Sequence, residues 1–349
     1  MDEFARRPAE DRRAYIDEAA ARRDLTPIVI EKDFWVCWTL RRLIMCPDLA
    51  GHMTFKGGTS LSKAYGIIAR FSEDIDLTIS RSAPLLSDVA SPMDSDITGK
   101  ERERRTKALK TAAQAYVATV AMPLLAREIE AALGTAEGWS LALDPDDKDE
   151  QTLLFVYPRT SGYGLAYGEN YGGADESGYI KPRIKLEFGA RGDTEPFELR
   201  PISSYLAEDF PEELPNAVTE VPTLAVARTF WEKITILHAI HHNGKLREGM
   251  SRHYYDVLML DQAGVTAEAL ARIELLEQVV HNKSLMFADK SACYETALVG
   301  TLRLSPDGAT REKLERDYSA MADMFMAAPP KFDALMEGLA AIEVTINGR

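Results

Sequence analysis

The sequence predicts an α/β first part followed by an all-helical second part, as lobes over residues 1–205 and 206–349. Three observations support this division. Short strand-like segments, DIDLTI, TLLFVYP and RIKLEF, all occur in the first part. Residues 196–222 contain five prolines and little periodicity, so they are predicted to be a connector. From Thr223 onward, only helical patterns are found.

Composition and charge exclude several classes of protein. The chain has 349 residues, 46% of them hydrophobic and 28% charged, which is typical of a globular protein. No apolar run is long enough to cross a bilayer and the N-terminus lacks a signal-peptide core, so we expect a cytoplasmic protein without a membrane partner. Three cysteines without a CxxC pair predict reduced, buried thiols.

The formal net charge of −14 bears on the choice of substrate. Such a surface repels nucleic acid on average, so an RNA substrate would need a local basic patch. The best candidate is the stretch ERERRTKALK, from Glu101 to Lys110, and a second is Arg41 with Arg42. A solvated helix face is the alternative interpretation of both.

The helices of the first part have recognisable starts and ends. Residues 10–24 predict a charged helix. A second helix is expected to start with Thr26 as its cap and Pro27 in its first position, and to end before Pro47. After a Ser-, Asp- and Pro-rich loop over 80–99, a third helix is predicted to reach Leu133. Gly134 would cap this helix.

The remaining elements follow from the same signals. The glycine- and tyrosine-rich stretch over 159–179 is predicted to be a long loop. In the second part, apolar residues at helical spacing predict helices over 223–242, 251–264, 266–280, 291–302, 311–327 and 331–344.

The strand pattern DIDLTI carries the first candidate site residues. Side chains alternate along a strand, so Asp74 and Asp76 share one face while the aliphatic residues occupy the other. Their Cα atoms lie about 6.6 Å apart at the strand rise. The two carboxylates can converge on one divalent ion or bridge two, and oxygen ligands favour Mg²⁺ or Mn²⁺. The alternative is a strand edge with solvated aspartates, and the pattern alone does not decide between them.

The segment FKGGTSLSK lies just upstream and reads as strand, glycine turn and helix. Gly57 and Gly58 would let the backbone approach a phosphate, and the helix start would supply N–H groups. Thr59 and Ser60 add hydroxyls and Lys63 adds a positive charge. The spacing differs from that of Walker A, and an ordinary capped turn is the alternative. The neighbouring pair of aspartates favours the phosphate-binding interpretation.

Further candidates lie later in the chain. Glu187 in RIKLEF is a candidate third acid or general base, although an ion pair with Lys185 would explain it equally well. Lys233 lies beside an apolar helix face, from which it can reach a triphosphate. Arg252 and Asp256 have the i, i+4 spacing of an intrahelical ion pair. Orientation of a ligand-binding group is the alternative, and the spacing does not decide between the two.

A histidine cluster in the same region gives a weaker signal. His238, His241 and His242 have a metal-compatible spacing on one predicted helix. No HExxH pattern accompanies them, so zinc is not expected there.

Taken together, GGTSLSK and RFSEDIDL resemble the signature of the AbiEii/AbiGii-type nucleotidyltransferase toxins, which include the MenT group and belong to the polymerase-β-like superfamily. IEKDFWVCWTL, LLFVYP, IKLEF, WEKI and RHYYDV resemble further segments of the family, so the resemblance spans about residues 30–260. It implies a nucleotidyltransferase lobe with a mixed sheet, a helical C-terminal lobe and an active site between them. Beyond residue 260, nothing could be matched.

The resemblance also implies roles for particular residues. Gly57, Gly58, Thr59, Ser60 and Lys63 fall on the nucleotide-binding loop, and Asp74 and Asp76 on the metal-binding pair. Lys233 and Asp256 fall on later catalytic motifs. Glu187 is carried over less firmly, since an acid is not found there in every member of the family.

The implied reaction is transfer of a nucleotide from an NTP, with Mg²⁺ or Mn²⁺, to an RNA such as the 3′ end of tRNA. A cognate antitoxin is the implied protein partner. Two alternatives stay open. One is transfer to a protein or small-molecule hydroxyl, which the acidic surface favours. The other is a catalytically silent protein that binds NTP or a partner.

Overall fold

The computed structural model describes residues 1–72, 74–160, 182–306 and 308–348. Apart from Arg159 and Thr160, the predicted glycine- and tyrosine-rich loop lies outside the described residues. The chain begins with α1 (Asp2–Ala5), α2 (Ala9–Arg23), α3 (Pro27–Met45) and α4 (Pro47–Ala50). As predicted, the Thr26 side chain caps α3 by accepting a hydrogen bond from the Val29 N–H. Most of α3 is buried, so this helix forms the centre of the first lobe.

Seven strands form one mixed sheet in the order β3-β4-β5-β2-β1-β7-β6. Their bounds are β1 (Met53–Lys56), β2 (Ile75–Ile79), β3 (Ser140–Leu143), β4 (Thr152–Val156), β5 (Ile184–Gly189), β6 (Phe197–Ile202) and β7 (Thr219–Leu224). The central strand β2 is antiparallel to β1 and parallel to β5. The short helix α5 (Gly57–Lys63) follows β1 directly, so the predicted order of strand, glycine turn, helix and strand is confirmed.

The predicted connector over 196–222 is wrong, because both of its ends belong to the sheet, as β6 and β7. β6 and β7 pair along six residues, and β7 also pairs with β1. Pro201 lies in the edge strand β6, where a missing N–H is tolerated. The prolines hid the strand pattern, and the exposed strand β3 was missed for lack of a buried face. The all-helical region thus begins after Leu224.

The long helix predicted after the loop over 80–99 is present in two halves. It consists of α6 (Gly99–Tyr116), a π-helical turn (Val117–Ala121) and α7 (Met122–Leu133). Pro123 lies at the start of α7, where it has no N–H to offer the preceding turn. Gly134 ends the helix in the left-handed conformation, as predicted.

The second part contains the helices α9 (Val226–Asn243), α10 (Ser251–Gln262), α11 (Val265–Leu270), α12 (Ile273–Met286), α13 (Gly308–Ala320) and α14 (Phe332–Asn347), after the short α8 (Tyr205–Asp209). The helix predicted over 291–302 is wrong. Two 3₁₀ turns replace it, and Cys293 between them has a left-handed backbone with φ 49°. The pattern over 266–280 breaks into α11 and α12.

The apolar interior divides into two clusters. The first joins α3, α7 and the sheet, and it extends along the chain to Val221. The second joins α9 to α14 and includes Leu61 and Ile68 from the first part. A division at residue 205 stays a prediction about domains, although the sheet itself continues to Leu224. In the part of the chain that is described, no helix is long and apolar enough to span a bilayer.

Candidate active site

The sheet brings one basic and two acidic side chains into register on three neighbouring strands. Asp76 on β2 lies opposite Lys56 on β1 and opposite Glu187 on β5. Asp74 precedes β2 by one residue. Because residues two apart on a strand share a face, Asp74 points to the same side as Asp76. The predicted pairing of Glu187 with these aspartates is therefore present in the fold.

A cavity of about 260 Å³ lies over this row, between the sheet and the helices of the second part. The sheet side contributes the acids and the glycine turn, and the helical side contributes mainly α9 and α10. The lining residues used below are Lys56, Gly57, Gly58, Arg70, Ser72, Asp74, Asp76, Glu187, Glu232, Lys233, Ile236, Arg252 and His253.

Among the acids of this row, Asp76 has a clearly raised pKa. Burial, and then the nearby Glu187 carboxylate, raise its pKa to about 6, although Lys56 opposes the shift. Glu187 also forms a half-exposed ion pair with Lys185, with Nζ 2.6 Å from Oε1. A cation bound beside Asp76 would stabilise the charged form of its carboxylate.

Gly57 and Gly58 have no side chain, so Asp76 and Arg70 can lie close to the backbone of the turn. Gly57 has φ +81°, and a Cβ atom there would lie 1.9 Å from Oδ2 of Asp76. A Cβ atom at Gly58 would lie 2.6 Å from both Nη2 of Arg70 and Oγ of Ser72. The two glycines are therefore required for the approach of the acid and of Arg70, a reason that the sequence did not reveal.

The other residues of the predicted nucleotide-binding loop face inward. The Thr59 hydroxyl donates to the backbone carbonyl of Asp74 at 2.5 Å, and the Ser60 hydroxyl donates to that of Gly57 at 2.8 Å. Lys63 forms a buried ion pair with Asp33 at 2.7 Å. None of these three side chains lines the cavity. They fix the shape of the turn on which the acids depend.

The ion pair with Asp33 changes the pKa of Lys63. Burial opposes the charged form, but Asp33 outweighs it and raises the pKa of Lys63 above its usual value. The sequence predicts that the Lys63 ammonium binds a phosphate. In the structure, this ammonium forms an ion pair with Asp33 of α3.

Lys233 and Asp256 meet at the helical wall of the cavity, together with Arg70. Nε and Nη2 of Arg70 donate to the two oxygens of Asp256 at 2.7 and 2.8 Å. Lys233 Nζ donates to Asp256 Oδ2 at 2.8 Å. Asp256 is fully buried and does not line the cavity, whereas Lys233 does. Asp256 therefore positions Lys233 and links the two parts of the chain.

Arg70 and Lys233 together stabilise the negative charge of Asp256. Burial disfavours the Asp256 carboxylate, but the two cations outweigh it and hold its pKa well below its usual range. Asp256 thus pairs with Arg70 and Lys233, and not with Arg252 as the i, i+4 spacing predicted. The only signal for Arg70 was its place beside SEDID.

His253 is a second residue that the sequence did not single out. Its Nδ1 lies 3.4 Å from Lys233 Nζ. Burial, and then the Lys233 charge, hold the pKa of His253 well below its ordinary value, so the ring is neutral. A neutral imidazole adds no charge beside the ammonium and can orient it.

Two of the three histidines of α9, His238 and His241, form hydrogen bonds with backbone atoms. His238 is buried, and its Nε2 lies 3.1 Å from the carbonyl oxygen of Cys293. Its Nδ1 accepts a hydrogen bond from the backbone N–H of Arg303. The residues described contain no group of three or more His, Cys, Asp or Glu arranged as a metal site.

Asp74, Asp76 and Glu187 share the cavity but are not gathered into a closed metal site. Their chemistry fits a hard divalent ion nonetheless, since all their donors are carboxylate oxygens and Asp76 is crowded by a second negative charge. These three residues would hold Mg²⁺ or Mn²⁺.

Comparisons with known proteins identify the family. No curated protein matches the chain. Among solved structures, the MenT4 nucleotidyltransferase toxin of Mycobacterium tuberculosis H37Rv is similar at 15% identity and a TM-score of 0.40, over 95% of this chain and 98% of that one. Residues 38–338 match the family described as nucleotidyl transferase AbiEii toxin of type IV toxin–antitoxin systems. The chain therefore belongs to this family and is a nucleotidyltransferase toxin.

Proposed function

We propose that the protein transfers a nucleotide from an NTP to an RNA acceptor, such as the 3′ end of tRNA, in a reaction that depends on Mg²⁺ or Mn²⁺. The observation that carries this proposal is the single cavity in which Asp74, Asp76 and Glu187 face Lys233. Carboxylates that can hold a divalent ion, opposite a lysine that can neutralise phosphate, are what nucleotidyl transfer requires.

The reaction joins an acceptor oxygen to the α-phosphorus of the NTP. The acceptor hydroxyl gives its proton to a carboxylate of the cavity, for which Glu187 is the candidate general base, as the new P–O bond forms. The bond to the β-phosphate breaks and releases pyrophosphate. The ion, when bound, would lower the pKa of the attacking hydroxyl and offset the charge of the leaving group. Lys233 would bind the negative charge that develops on the phosphates. Asp256 and His253 would hold its ammonium in place.

The glycine turn has an indirect part in this proposal. Gly57 and Gly58 admit Asp76 and Arg70, while Thr59 and Ser60 hold the turn by their hydrogen bonds to backbone carbonyls. A direct contact of Thr59, Ser60 or Lys63 with phosphate stays a prediction.

Family membership also implies an antitoxin.

Transfer of labelled nucleotide tests the proposal. The protein is incubated with each α-labelled NTP, total tRNA and Mg²⁺ or Mn²⁺, with EDTA as a control. We expect label in RNA, and its loss in Asp76→Asn and Lys233→Met. Asp146→Asn is a matched control, since Asp146 is exposed and lies outside the cavity. Label that enters RNA equally in all variants would refute the proposed site.

The same assay separates the alternatives. Label in a protein band or a small molecule, with none in RNA, would favour the second acceptor class, for which the net charge of −14 is the supporting observation. NTP binding without release of pyrophosphate would favour a catalytically silent protein.

A further inference from the structure

A second cavity of about 590 Å³ adjoins the catalytic cavity. Lys56, Glu232 and Ile236 line both, so the two spaces meet along this wall. We infer, on the basis of the proposed nucleotidyl transfer, that this acceptor cavity binds the phosphate-bearing end of an RNA strand, and that Lys283 contacts one of its phosphates. Lys283 would be a positioning residue for the acceptor, outside the motifs discussed so far.

The charge of the acceptor cavity supports an anionic ligand. Its lining residues include five basic side chains, Lys56, Arg228, Lys245, Arg247 and Lys283, against one carboxylate, that of Glu232. The chain as a whole carries a formal charge of −14. A concentration of positive charge in a concave site of an acidic protein attracts a polyanion to that site.

Lys283 is held at the junction with the catalytic cavity. Its Nζ donates to the backbone carbonyl of Glu232 on α9 at 2.9 Å. Within the described ranges it forms no ion pair with a carboxylate at contact distance. Burial lowers the pKa of Lys283 to about 7, and the charges of Lys56 and Lys233 add to the effect while Glu232 opposes it. A phosphate beside this ammonium would stabilise its charged form.

Arg228 places a second buried cation at the wall of the acceptor cavity. Its side chain is 2% exposed and lines the cavity. Nη2 donates to Asp193 at 2.6 Å, and Nε lies 3.6 Å from Glu232 Oε1. Arg228 is therefore fixed in place by two carboxylates, which offset part of its charge.

Apolar and aromatic side chains also line the acceptor cavity. Val279, Phe287 and Tyr294 line it, and Phe287 is 40% exposed. The Arg191 guanidinium lies over the Phe287 ring, 4.5 Å from its centroid. Aromatic rings beside basic side chains fit a nucleotide, whose base stacks while its phosphate pairs. A small or protein hydroxyl would offer no anionic group to Lys283, whereas Arg228 and Lys245 already form ion pairs with Asp193 and Asp289.

A binding experiment without NTP tests the inference separately from catalysis. The probe is a short single-stranded RNA with a fluorophore on its 5′ end, titrated with the full-length protein. Lys283→Gln should weaken binding about tenfold, as expected for loss of a charged hydrogen bond. The slope of log affinity against log salt should fall by about 0.7, which corresponds to one phosphate contact. Lys148→Gln is the matched control, since Lys148 is exposed and lies outside both cavities.

A second variant distinguishes a charge contact from a purely structural role. The wild-type affinity should fall as pH rises from 6 to 8, since Lys283 loses its proton in that range. Lys283→Arg should bind as well at both pH values, because a guanidinium keeps its charge. The charged groups facing Lys283, namely Lys56, Glu232 and Lys233, are the same in both proteins.

Two results would overturn the inference. One is an RNA affinity in Lys283→Gln equal to that of Lys148→Gln, and the other is no measurable binding of RNA by the wild type. If Lys283→Gln fails to fold, the inference is tested by the pH dependence of RNA affinity in the wild type and in Lys283→Arg. An equal pH dependence in these two proteins would then overturn it. Loss of binding in Lys283→Gln with no transfer of label by the wild type would uphold the acceptor cavity and refute the proposed reaction.

Discussion

At the scale of single residues, the contact between Gly57 and Asp76 fixes the geometry of the acid. The left-handed backbone at Gly57 turns the chain from β1 into α5, and the missing side chain leaves room for Oδ2 of Asp76. Any side chain at this position would displace the carboxylate from the row formed with Lys56 and Glu187. The glycine therefore acts on the chemistry through the position of its neighbour.

We predict that Gly57→Ala lowers nucleotidyl transfer by about a hundredfold, the usual effect of an ångström-scale displacement of a catalytic group. Gly66→Ala is the matched control, since Gly66 also has positive φ, of +64°, but has open space around it. It should cost about 1 kcal/mol of stability and keep its activity. Equal activity in the two variants, measured by label transfer, would contradict the role given to Gly57.

Asp76 gives a second prediction at this scale. Its pKa is raised to about 6 in the folded protein, so between about pH 4 and 6 the unfolded chain releases a proton that the folded chain retains. Stability therefore falls as pH rises through this window. Asp76→Asn removes the effect and should raise the free energy of unfolding at pH 7.5 by up to about 2 kcal/mol, since solvent screens part of it.

Thermal melts without metal at pH 4.5 and 7.5 check the Asp76 prediction. The gain should be much smaller at pH 4.5, near the lower end of this window, than at pH 7.5. The control variant Asp146→Asn should have the same melting temperature as the wild type at each of the two pH values. A destabilised Asp76→Asn at pH 7.5 would indicate that the carboxylate has a structural role.

At the scale of elements, a buried ion-pair group joins the segment before β2 to α9 and α10. Arg70, Asp256 and Lys233 come from these three segments, and each is at most 7% exposed in its side chain. The group brings Lys233 to the cavity and holds the second part of the chain against the sheet. Neither effect follows from any one element alone.

We predict that Arg70→Leu destabilises the protein by about 3 kcal/mol or more, because it leaves Asp256 buried with one cation in place of two. Arg104→Leu, which breaks an exposed pair on α6, should cost less than about 1 kcal/mol. Urea denaturation at pH 7 measures both. The low pKa of Asp256 stabilises the fold above about pH 4 and is lost below it, so the effect of Arg70→Leu should shrink in acid. Similar costs for the two variants would contradict this account.

The strands β6 and β7 show where prediction of elements failed. Pro201 and Pro222 interrupt the alternation that identifies a strand, and β6 exposes Phe197 and Leu199 at the sheet edge. Local pattern therefore favoured a connector. What makes these segments strands is the pairing of β7 with both β1 and β6, which only the folded sheet supplies.

At the scale of the whole molecule, β7 decides where the first part can end. Val221 and Leu224 of this strand are fully buried, and Val221 belongs to the first apolar cluster. We predict that a fragment of residues 1–225 unfolds cooperatively, whereas one of residues 1–205 aggregates because β1 and β6 lose their partner. Circular dichroism melts and gel filtration of both fragments check this. A monomeric, cooperatively melting 1–205 fragment would restore the predicted division.

The sequence by itself determined the family of this protein and the local arrangement of its paired aspartates. Strand alternation placed Asp74 and Asp76 on one face, the glycine turn placed them beside α5, and the combined motifs indicated the family. These are local features, encoded within a few residues of one another.

Only the tertiary structure decided which groups meet. It brought Glu187 into register with Asp76, turned Lys63 away to Asp33, joined Arg70 to Asp256 and Lys233, and collected basic side chains around Lys283. Such contacts join residues far apart in the chain, and their energies depend on burial and on neighbouring charges. Neither quantity exists until the two apolar clusters have packed.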